Sequence, residues 1–188
     1  MTDEDLMAAV AAGDREAFGA LYRRRRPDVY RFALHMTGSP AAAEDVAQDV
    51  FVAVIQDARR YSPSRAAVLP WLLGIARNQA RRRLSERRFD PIPGGGAEPV
   101  VLADPAEGLT RSRQTDALRR ALVALPVVYR EAVVLCDLQE LTYQDAAEAA
   151  ECAIGTVRSR LHRGRQMLAA SLRGERHAFR GWPAPGWL

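Results

Sequence analysis

The sequence lacks lysine, has only two cysteines and contains no long apolar run. All 27 basic residues of the 188-residue chain are arginines. Cys136 and Cys152 lie in no CxxC or Cys/His spacing, so we expect two reduced thiols that behave as small apolar side chains. The amino terminus, MTDEDL, is acidic and unlike a secretory signal. Because no apolar stretch approaches a membrane span, we expect a cytoplasmic protein without membrane insertion.

The motifs of enzymatic chemistry are lacking as well. The sequence has no glycine-rich phosphate loop and no nucleophile elbow. His35, His162 and His177 have no carboxylate, serine or cysteine partner at motif spacing. The sequence therefore predicts a protein that is not an enzyme, with no catalytic residue, no cofactor and no bound metal.

Charge is distributed unevenly along the chain, whose net charge is +4. Residues 1–88 carry +4, whereas residues 89–112 and 113–153 carry −3 each. Residues 154–188 carry +6, from seven arginines and one glutamate. Basic stretches confined to particular elements are typical of proteins that bind an anionic polymer.

A stretch rich in proline and glycine, residues 88–108, separates two blocks with helical periodicity. We predict an all-α protein with two small helical domains, residues 1–88 and 113–175, joined by a flexible linker over 89–112. A tail, 176–188, contains three aromatic residues and two prolines, namely Phe179, Trp182, Pro183, Pro185 and Trp187. We expect a flexible extension, or alternatively an apolar latch onto a regulator or onto the chain's own domains.

Three helices are predicted in the first block. Asp14 is positioned to cap the first helix, which ends at the sequence TGSP and which Pro27 is expected to kink. The second helix is predicted over 41–61 and the third over 70–88, with Pro70 at its first position. The later segment VVYREAVVLCDL is β-branched, but its spacing favours a helix over a strand.

The second helix has two distinct faces at 100° per residue. Its core face is expected to comprise Ala47, Val50, Phe51, Val54 and Ala58. Its opposite face comprises Asp45, Gln48, Asp49, Val52 and Gln56. This acidic and amide-rich face is either an ordinary solvated surface or a docking surface for a basic protein partner, because complementary charge fixes the register of a complex.

The third helix carries its tryptophan among polar and basic residues. One side comprises Leu72, Ile75, Ala76, Gln79 and Arg83. The other side comprises Trp71, Gly74, Asn78, Arg81, Arg82 and Ser85, with Arg77 on the flank. Tryptophan beside arginine is suited to stacking on exposed bases and pairing with phosphates. Alternatively, Trp71 turns back and covers the core beneath the preceding loop.

Residues 141–168 have the pattern of a helix-turn-helix. Thr142 and Asp145 form an approximate capping box for its first helix, and Ala147 is the small residue where the two helices cross. The second helix directs Val157, Leu161, Gly164 and Leu168 inward. It directs Ser159, His162, Arg163 and Gln166 outward.

Four arginines of this second helix are sorted by their position. Arg158 and Arg163 are candidates for base contacts in the major groove, whereas Arg160 and Arg165 lie on the flanks and are candidates for phosphate contacts. The alternative is a basic amphipathic helix that packs on an acidic partner.

These three motifs together resemble the extracytoplasmic-function (ECF, group IV) sigma factors of bacterial RNA polymerase. Residues 14–61 resemble conserved regions 2.1 and 2.2, residues 70–84 resemble regions 2.3 and 2.4, and residues 141–165 resemble region 4.2. The resemblance implies a region 2 helical bundle and a region 4 helix-turn-helix. It also implies a non-catalytic subunit that gives the polymerase its promoter specificity.

The resemblance implies a role for each face. The core polymerase is expected to bind Asp45, Gln48 and Asp49 through its β′ clamp helices, with the β flap as a second contact. The unwound −10 promoter element is expected at Trp71, Arg77, Asn78 and Arg81, together with the preceding loop. The −35 duplex is expected at Arg158, Ser159, His162, Arg163 and Arg165. An anti-sigma factor is the expected regulator.

Two positions depart from the family pattern. Glu151 occupies a turn position normally held by glycine, so either this residue accepts a positive φ or the turn changes shape. Ala153, which precedes the second helix, has no side chain able to cap it. The main alternative function is a free-standing transcription regulator. That function does not explain the acidic face of the second helix or the face of the third helix that carries tryptophan and arginine.

Overall fold

The computed structural model describes residues 1–89 and 109–174, with side chains described for 1–86 and 115–173. These residues form eight α-helices and no strand, which confirms the all-α prediction. The helices are α1 (Asp3–Ala11), α2 (Arg15–Thr37), α3 (Pro40–Asp57), α4 (Val68–Phe89), α5 (Leu109–Ala124), α6 (Val127–Val133), α7 (Tyr143–Ala149) and α8 (Ile154–Gly174). A 3₁₀ turn, Ala58–Arg60, follows α3, and a π-helical turn, Val134–Leu138, follows α6. Most of the predicted linker and all of the predicted tail, including its aromatic residues, lie outside the described residues.

The boundaries of α1 and α2 follow from their capping residues. Thr2 accepts a hydrogen bond from the Asp5 backbone, and the Asp5 side chain accepts one from the Thr2 backbone, which completes a capping box for α1. The sequence analysis did not predict α1. Asp14 caps α2 as predicted, because its carboxylate accepts from the backbone N–H groups of Glu16 and Ala17 at 2.8 and 3.1 Å.

The helix α2 ends at the predicted TGSP sequence. Pro27 lies within the helix, and Gly38 ends it with a φ of 68° while its N–H donates to Leu34 at 2.8 Å. The hydroxyl of Ser39 then accepts from the Ala42 backbone at 3.3 Å, which caps α3. A single short turn therefore reverses the chain between two long helices.

The helix α4 begins earlier than predicted. It starts at Val68, so Pro70 occupies its third position rather than the first. Proline is still tolerated there, because the first-turn N–H groups have no partner inside a helix. Leu72, Leu73 and Ala76 from α4 are buried against α2 and α3. The first four helices thus form a bundle around one apolar core.

The helices α5, α6 and α8 share a second, smaller core. It comprises Ala121, Leu122, Leu125, Ala132, Val133, Leu161 and Leu168. Gly164 lets α8 cross closely over α6, because a Cβ atom there would lie 2.7 Å from Cγ2 of Val133 and 3.0 Å from the carbonyl oxygen of Tyr129. The helix preference for VVYREAVVLCDL is confirmed, since the segment forms α6 and the π-helical turn.

The amino-terminal unit (α1–α4) and the carboxy-terminal unit (α5–α8) pack directly against each other. The core of the bundle continues through Val134 and Leu135 and into α7. Gly74 in α4 faces α7, since a Cβ atom there would be in ordinary contact with the backbone of Ala149, 3.4 Å from its carbonyl oxygen. Arg130 crosses between the units and donates to the carbonyl oxygen of Met36. The two helical domains predicted from the sequence are therefore present, and they lie in contact within the described residues.

Candidate nucleic-acid and docking interfaces

The helix α3 has the two faces predicted from its periodicity. Its core face is fully buried and comprises Ala47, Val50, Phe51, Val54 and Ala58. On the other face, Asp49 is half-buried and four residues are exposed, namely Asp45, Gln48, Val52 and Gln56. Ile55 is 62% exposed next to this face, and the sequence analysis did not include it. An acidic surface with two exposed aliphatic side chains is suited to contact with another protein.

Two arginines of α4 neutralise part of this acidic face. Arg83 donates to Asp45 at 3.0 Å and to Asp49 at 2.8 Å, and Arg82 lies 3.7 Å from Asp49. The hydrogen bond from Arg83 to Asp49 raises the pKa of the guanidinium. Because the side chain of Asp45 remains 58% exposed, it is still accessible to a basic partner.

The placement of Trp71 combines features of the two predicted alternatives, which are an exposed ring that stacks on bases and a ring that covers the core. Its side chain is half-buried and packs against the core, and its ring meets Tyr61 edge to face with centroids 5.3 Å apart. The Tyr61 hydroxyl donates to the carbonyl oxygen of Ala66 at 3.0 Å, and burial raises the pKa of that hydroxyl. The pair therefore braces the loop between the 3₁₀ turn and α4 while leaving one side of Trp71 accessible.

A groove of about 270 Å³ runs along Trp71 between the two units. The amino-terminal unit lines it with basic and polar residues, including Arg60, Ser62, Arg65 and Asn78. The carboxy-terminal unit closes it with α7 and the following turn, through Glu148, Ala149 and Glu151. One wall can therefore contact phosphates, and the facing wall is acidic.

Three residues predicted as −10 contacts lie against the carboxy-terminal unit. Arg77 is buried, and its Nε donates to Oε2 of Glu131 at 3.2 Å. Arg81 donates to both carboxylate oxygens of the same glutamate, with Nη2 at 3.1 Å from Oε2. Asn78 donates to Oε1 of Glu151 at 3.4 Å. The fourth predicted residue, Trp71, instead lines the groove beside that unit.

Charge complementarity explains this placement. The basic side of α4 meets the acidic stretch 113–153, which the uneven charge distribution had already identified. Sequence reasoning missed Glu131, although one signal pointed to it. It is the one acid within the apolar run from Val127 to Leu135, and a glutamate in such a run is buried only when it is paired.

The helix α8 has the inward and outward faces predicted from its periodicity. Val157, Leu161, Gly164 and Leu168 are buried, and Ser159, His162, Arg163 and Gln166 are exposed, which agrees with the predicted periodicity. Arg158 is exposed and lies over the ring of Tyr143, with Cζ 5.6 Å from the ring centroid.

The two flanking arginines of α8 have contacts within the protein. Arg165 donates to Asp137 through Nε at 3.0 Å and through Nη2 at 2.5 Å. Nη1 of Arg160 lies 3.9 Å from the sulfur of Cys152. Arg165 therefore has to leave Asp137, or share it, before it can contact a phosphate.

The turn between α7 and α8 retains its shape despite the glutamate. Glu151 adopts a φ of 50°, so it accepts the left-handed conformation. Thr142 caps α7 as predicted, because its hydroxyl accepts from the Asp145 backbone at 3.1 Å and lies 2.7 Å from the Asp145 carboxylate. The carbonyl of Ala153 accepts from Thr156 and Val157 at the start of α8.

The surroundings of Cys136 and His35 favour the neutral forms of both side chains. Cys136 and Cys152 are free and half-buried, and burial raises the pKa of Cys136 to about 11. Burial also lowers the pKa of His35 to about 4, so this imidazole is neutral at pH 7. Within 1–89 and 109–174, no three His, Cys, Asp or Glu side chains are grouped so as to hold a metal ion. Among the described helices, none combines the length and apolarity needed to cross a membrane.

Comparison with known proteins assigns the two units. The family described as Sigma-70 region 2 matches residues 21–89, and the family described as Sigma-70, region 4 matches residues 115–168. The chain is 37% identical over 172 residues to the ECF RNA polymerase sigma factor SigM of Mycobacterium tuberculosis, covering 91% of this chain and 85% of that protein. It is 35% identical over 176 residues to SigE of Mycolicibacterium smegmatis, covering 89% and 68% of the two proteins.

Solved structures give the same assignment. The sigma factor RpoE of Bartonella quintana, solved with the anti-sigma factor NepR, matches with a TM-score of 0.68 and 27% identity, covering 83% of this chain and 96% of that chain. CnrH, solved with the cytosolic domain of CnrY, matches with a TM-score of 0.68 and 25% identity over 92% and 97% of the two chains. The chain therefore belongs to the ECF RNA polymerase sigma factors.

Proposed function

We propose that this alternative sigma factor binds core RNA polymerase through the polar face of α3. The supporting observation is the combination of exposed Asp45 and Gln48 with exposed Val52 and Ile55 on one helix. Carboxylates attract a basic partner and set its register, and the aliphatic side chains supply apolar area to the contact. The proposed partner is the β′ clamp helices, as the resemblance to the family implies, with the β flap as a proposed second contact for the carboxy-terminal unit.

The groove beside Trp71 is the proposed site for the unwound −10 element. Arg60, Arg65 and Asn78 line it with donors for phosphates and base edges, and Trp71 supplies an aromatic edge. Stacking and phosphate contacts together offset the cost of splaying bases out of a duplex, which is a few kcal/mol per step. Arg77 and Arg81 join this site only when Glu131 releases them.

The outward face of α8 is the proposed reader of the −35 duplex. Ser159, His162 and Arg163 are exposed on consecutive turns of one face, and exposed Arg158 lies near the start of the helix. A recognition helix reads bases mainly from its amino-terminal half, and arginine is the usual bidentate partner of guanine. Arg165 lies farther along the helix, where a phosphate contact is expected.

The proposed role is non-catalytic, because the bound polymerase performs RNA synthesis and the sigma factor supplies promoter binding. An anti-sigma factor is the proposed regulator. Two structural neighbours support this proposal, since RpoE was solved with the anti-sigma factor NepR and CnrH with the cytosolic domain of CnrY. We propose that the complex with core polymerase forms in the cytoplasm.

Charge reversal on α3 tests the proposed docking surface. We expect D45R/D49R to abolish co-purification of the full chain with core polymerase, because like charges then face the basic partner. The matched control is E4R/E16R, which makes the same charge change at two exposed acids on α1 and α2.

Binding of duplex DNA by α8 shows whether D45R/D49R has lost only its contact with polymerase or has unfolded. D45R/D49R should bind a −35 duplex as tightly as the wild type or more tightly, because α8 is untouched and the chain becomes more basic. Retained polymerase binding contradicts the docking assignment. Loss of both activities together, with loss of the helical circular dichroism signal, identifies unfolding.

A further inference from the structure

Two arginines on one flank of α8 are held in different ways. Arg158 and Arg165 lie about two turns apart on this helix. Arg165 is held through its donor groups, because Nε and Nη2 donate to the carboxylate of Asp137 at 3.0 and 2.5 Å. Arg158 instead lies over the ring of Tyr143, with Cζ 5.6 Å from the ring centroid. The two contacts therefore leave different groups available for a ligand.

The ring contact preserves the donor groups of Arg158. An aromatic ring attracts a guanidinium through its π face, whereas the carboxylate of Asp137 takes two N–H donors of Arg165. Arg158 thus keeps the planar fork of donors that forms paired hydrogen bonds to guanine. Arg158 is exposed and Tyr143 is 39% exposed, so the pair lies at the protein surface.

The start of α7 fixes the position of Tyr143. This tyrosine is the first residue of the helix and directly follows its cap residue, Thr142. The Thr142 hydroxyl accepts from the Asp145 backbone at 3.1 Å, and Ala146 and Ala147 on the next turn are buried. Because the backbone is held on both sides of Tyr143, its ring has a defined place beside α8.

We propose that Tyr143 is a positioning residue for promoter recognition, and that its ring holds Arg158 ready to contact a base of the −35 duplex. This inference rests on the proposed function, because it takes Arg158 as a base contact. An arginine side chain has many rotamers in water, and ordering them at the moment of binding lowers affinity. The ring restricts these rotamers before DNA binds. Tyr143 therefore acts through Arg158 and needs no hydrogen bond of its own to DNA.

The effect of the ring is confined to sequence-specific binding. Replacing Tyr143 with a neutral side chain leaves the charge of the chain unchanged, so the general attraction to phosphates is retained. Discrimination at the base pair that Arg158 reads does change, because it depends on the orientation of a bidentate donor. A cation–π contact at an exposed site corresponds to a change of about two- to fivefold in a binding constant.

The test compares variants of the full chain in two measurements. Selection of bound duplexes from a random pool gives the base preference at each position. Fluorescence anisotropy gives the affinity for the duplex that the wild type selects and for a duplex of mixed sequence. Y143L and Y143Q remove the ring, Y143F keeps the ring and removes the hydroxyl, and R158A removes the guanidinium itself.

We expect Y143L and Y143Q to bind the selected duplex about two- to fivefold more weakly and to relax the preference at the same base pair as R158A. Their affinity for the mixed-sequence duplex should match the wild type, and Y143F should match the wild type on both duplexes.

Double variants separate positioning from a structural role. Adding Y143L to R158A should have no further effect, because the ring then has no guanidinium to hold. Adding Y143L to R163A, the matched control on the same helix, should again weaken binding about two- to fivefold, because independent sites contribute additively.

Three results overturn the inference. An equal loss in Y143F and Y143L identifies a hydroxyl contact with DNA instead. An equal loss on the selected and mixed-sequence duplexes identifies a role that is not specific to sequence. An undiminished effect of Y143L in the R158A background shows that the ring does not act through Arg158. If the helical circular dichroism signal of Y143L is lost, Y143Q decides the question.

Failure of the proposed function gives a different result. If neither R158A nor R163A changes any base preference, α8 is not the proposed −35 reader, and the inference about Tyr143 is wrong with it. A changed preference in R158A, with none in Y143L and Y143Q, contradicts the inference alone.

Discussion

At the scale of single residues, steric space explains two glycines of α8 that look equivalent in the sequence. Gly164 lies where a Cβ atom would contact Val133 and Tyr129, whereas a Cβ atom at Gly155 would meet nothing within 4 Å. Glu151 occupies a turn position where glycine is expected, yet it adopts a left-handed φ of 50° and the turn still closes. Periodicity predicted that Gly164 points inward, but the distance to α6 required the folded structure.

Alanine substitution is expected to change the free energy of unfolding differently at these two glycines. We expect G164A to lower the free energy of unfolding by about 1–3 kcal/mol, because overpacking forces α6 and α8 apart. G155A is the matched control on the same helix, and it should leave stability unchanged or raise it by up to about 1 kcal/mol through helix propensity. Chemical denaturation measures both values, and equal effects of the two substitutions contradict the packing account.

At the scale of elements, apolar periodicity predicted which faces of α3 and α8 are buried. The pattern succeeded because each helix packs one stripe against its own unit, and that stripe is encoded locally. It did not predict α1, and it began α4 at Pro70 rather than Val68. Helix ends depend on capping hydrogen bonds and first-turn tolerance, which a periodic pattern does not specify.

The sorting of arginines on α8 gives a prediction at this scale. We expect R163A to weaken −35 duplex binding by about 1–3 kcal/mol and to relax the preference at one base pair. R165A should weaken binding to all sequences alike, because its proposed contact is a phosphate. It should also reduce the slope of the logarithm of the binding constant against the logarithm of salt concentration by about one. Selection of bound duplexes from a random pool separates the two outcomes. A lost base preference in R165A, with none lost in R163A, contradicts the assignment.

At the scale of the whole molecule, the closed packing of the two units could not be predicted from the sequence. The charges of the segments indicated that 1–88 and 113–153 attract each other, but not which side chains meet. Arg77 and Glu131 are 54 residues apart in the chain, and their contact depends on how α2 and α4 present a surface to α6. The order of the motifs in the sequence was sufficient to predict the family. The packing of the two units against each other could be seen only in the folded structure.

The central claim is that this chain directs initiation by core RNA polymerase, and run-off transcription tests it most directly. Purified full-length chain is added to core polymerase with a genomic template library, and the transcripts are sequenced. The account predicts discrete start sites that share one −35 and one −10 element, and that are lost with D45R/D49R. No initiation on any template, together with tight operator binding by the chain alone, contradicts the account and indicates a free-standing regulator.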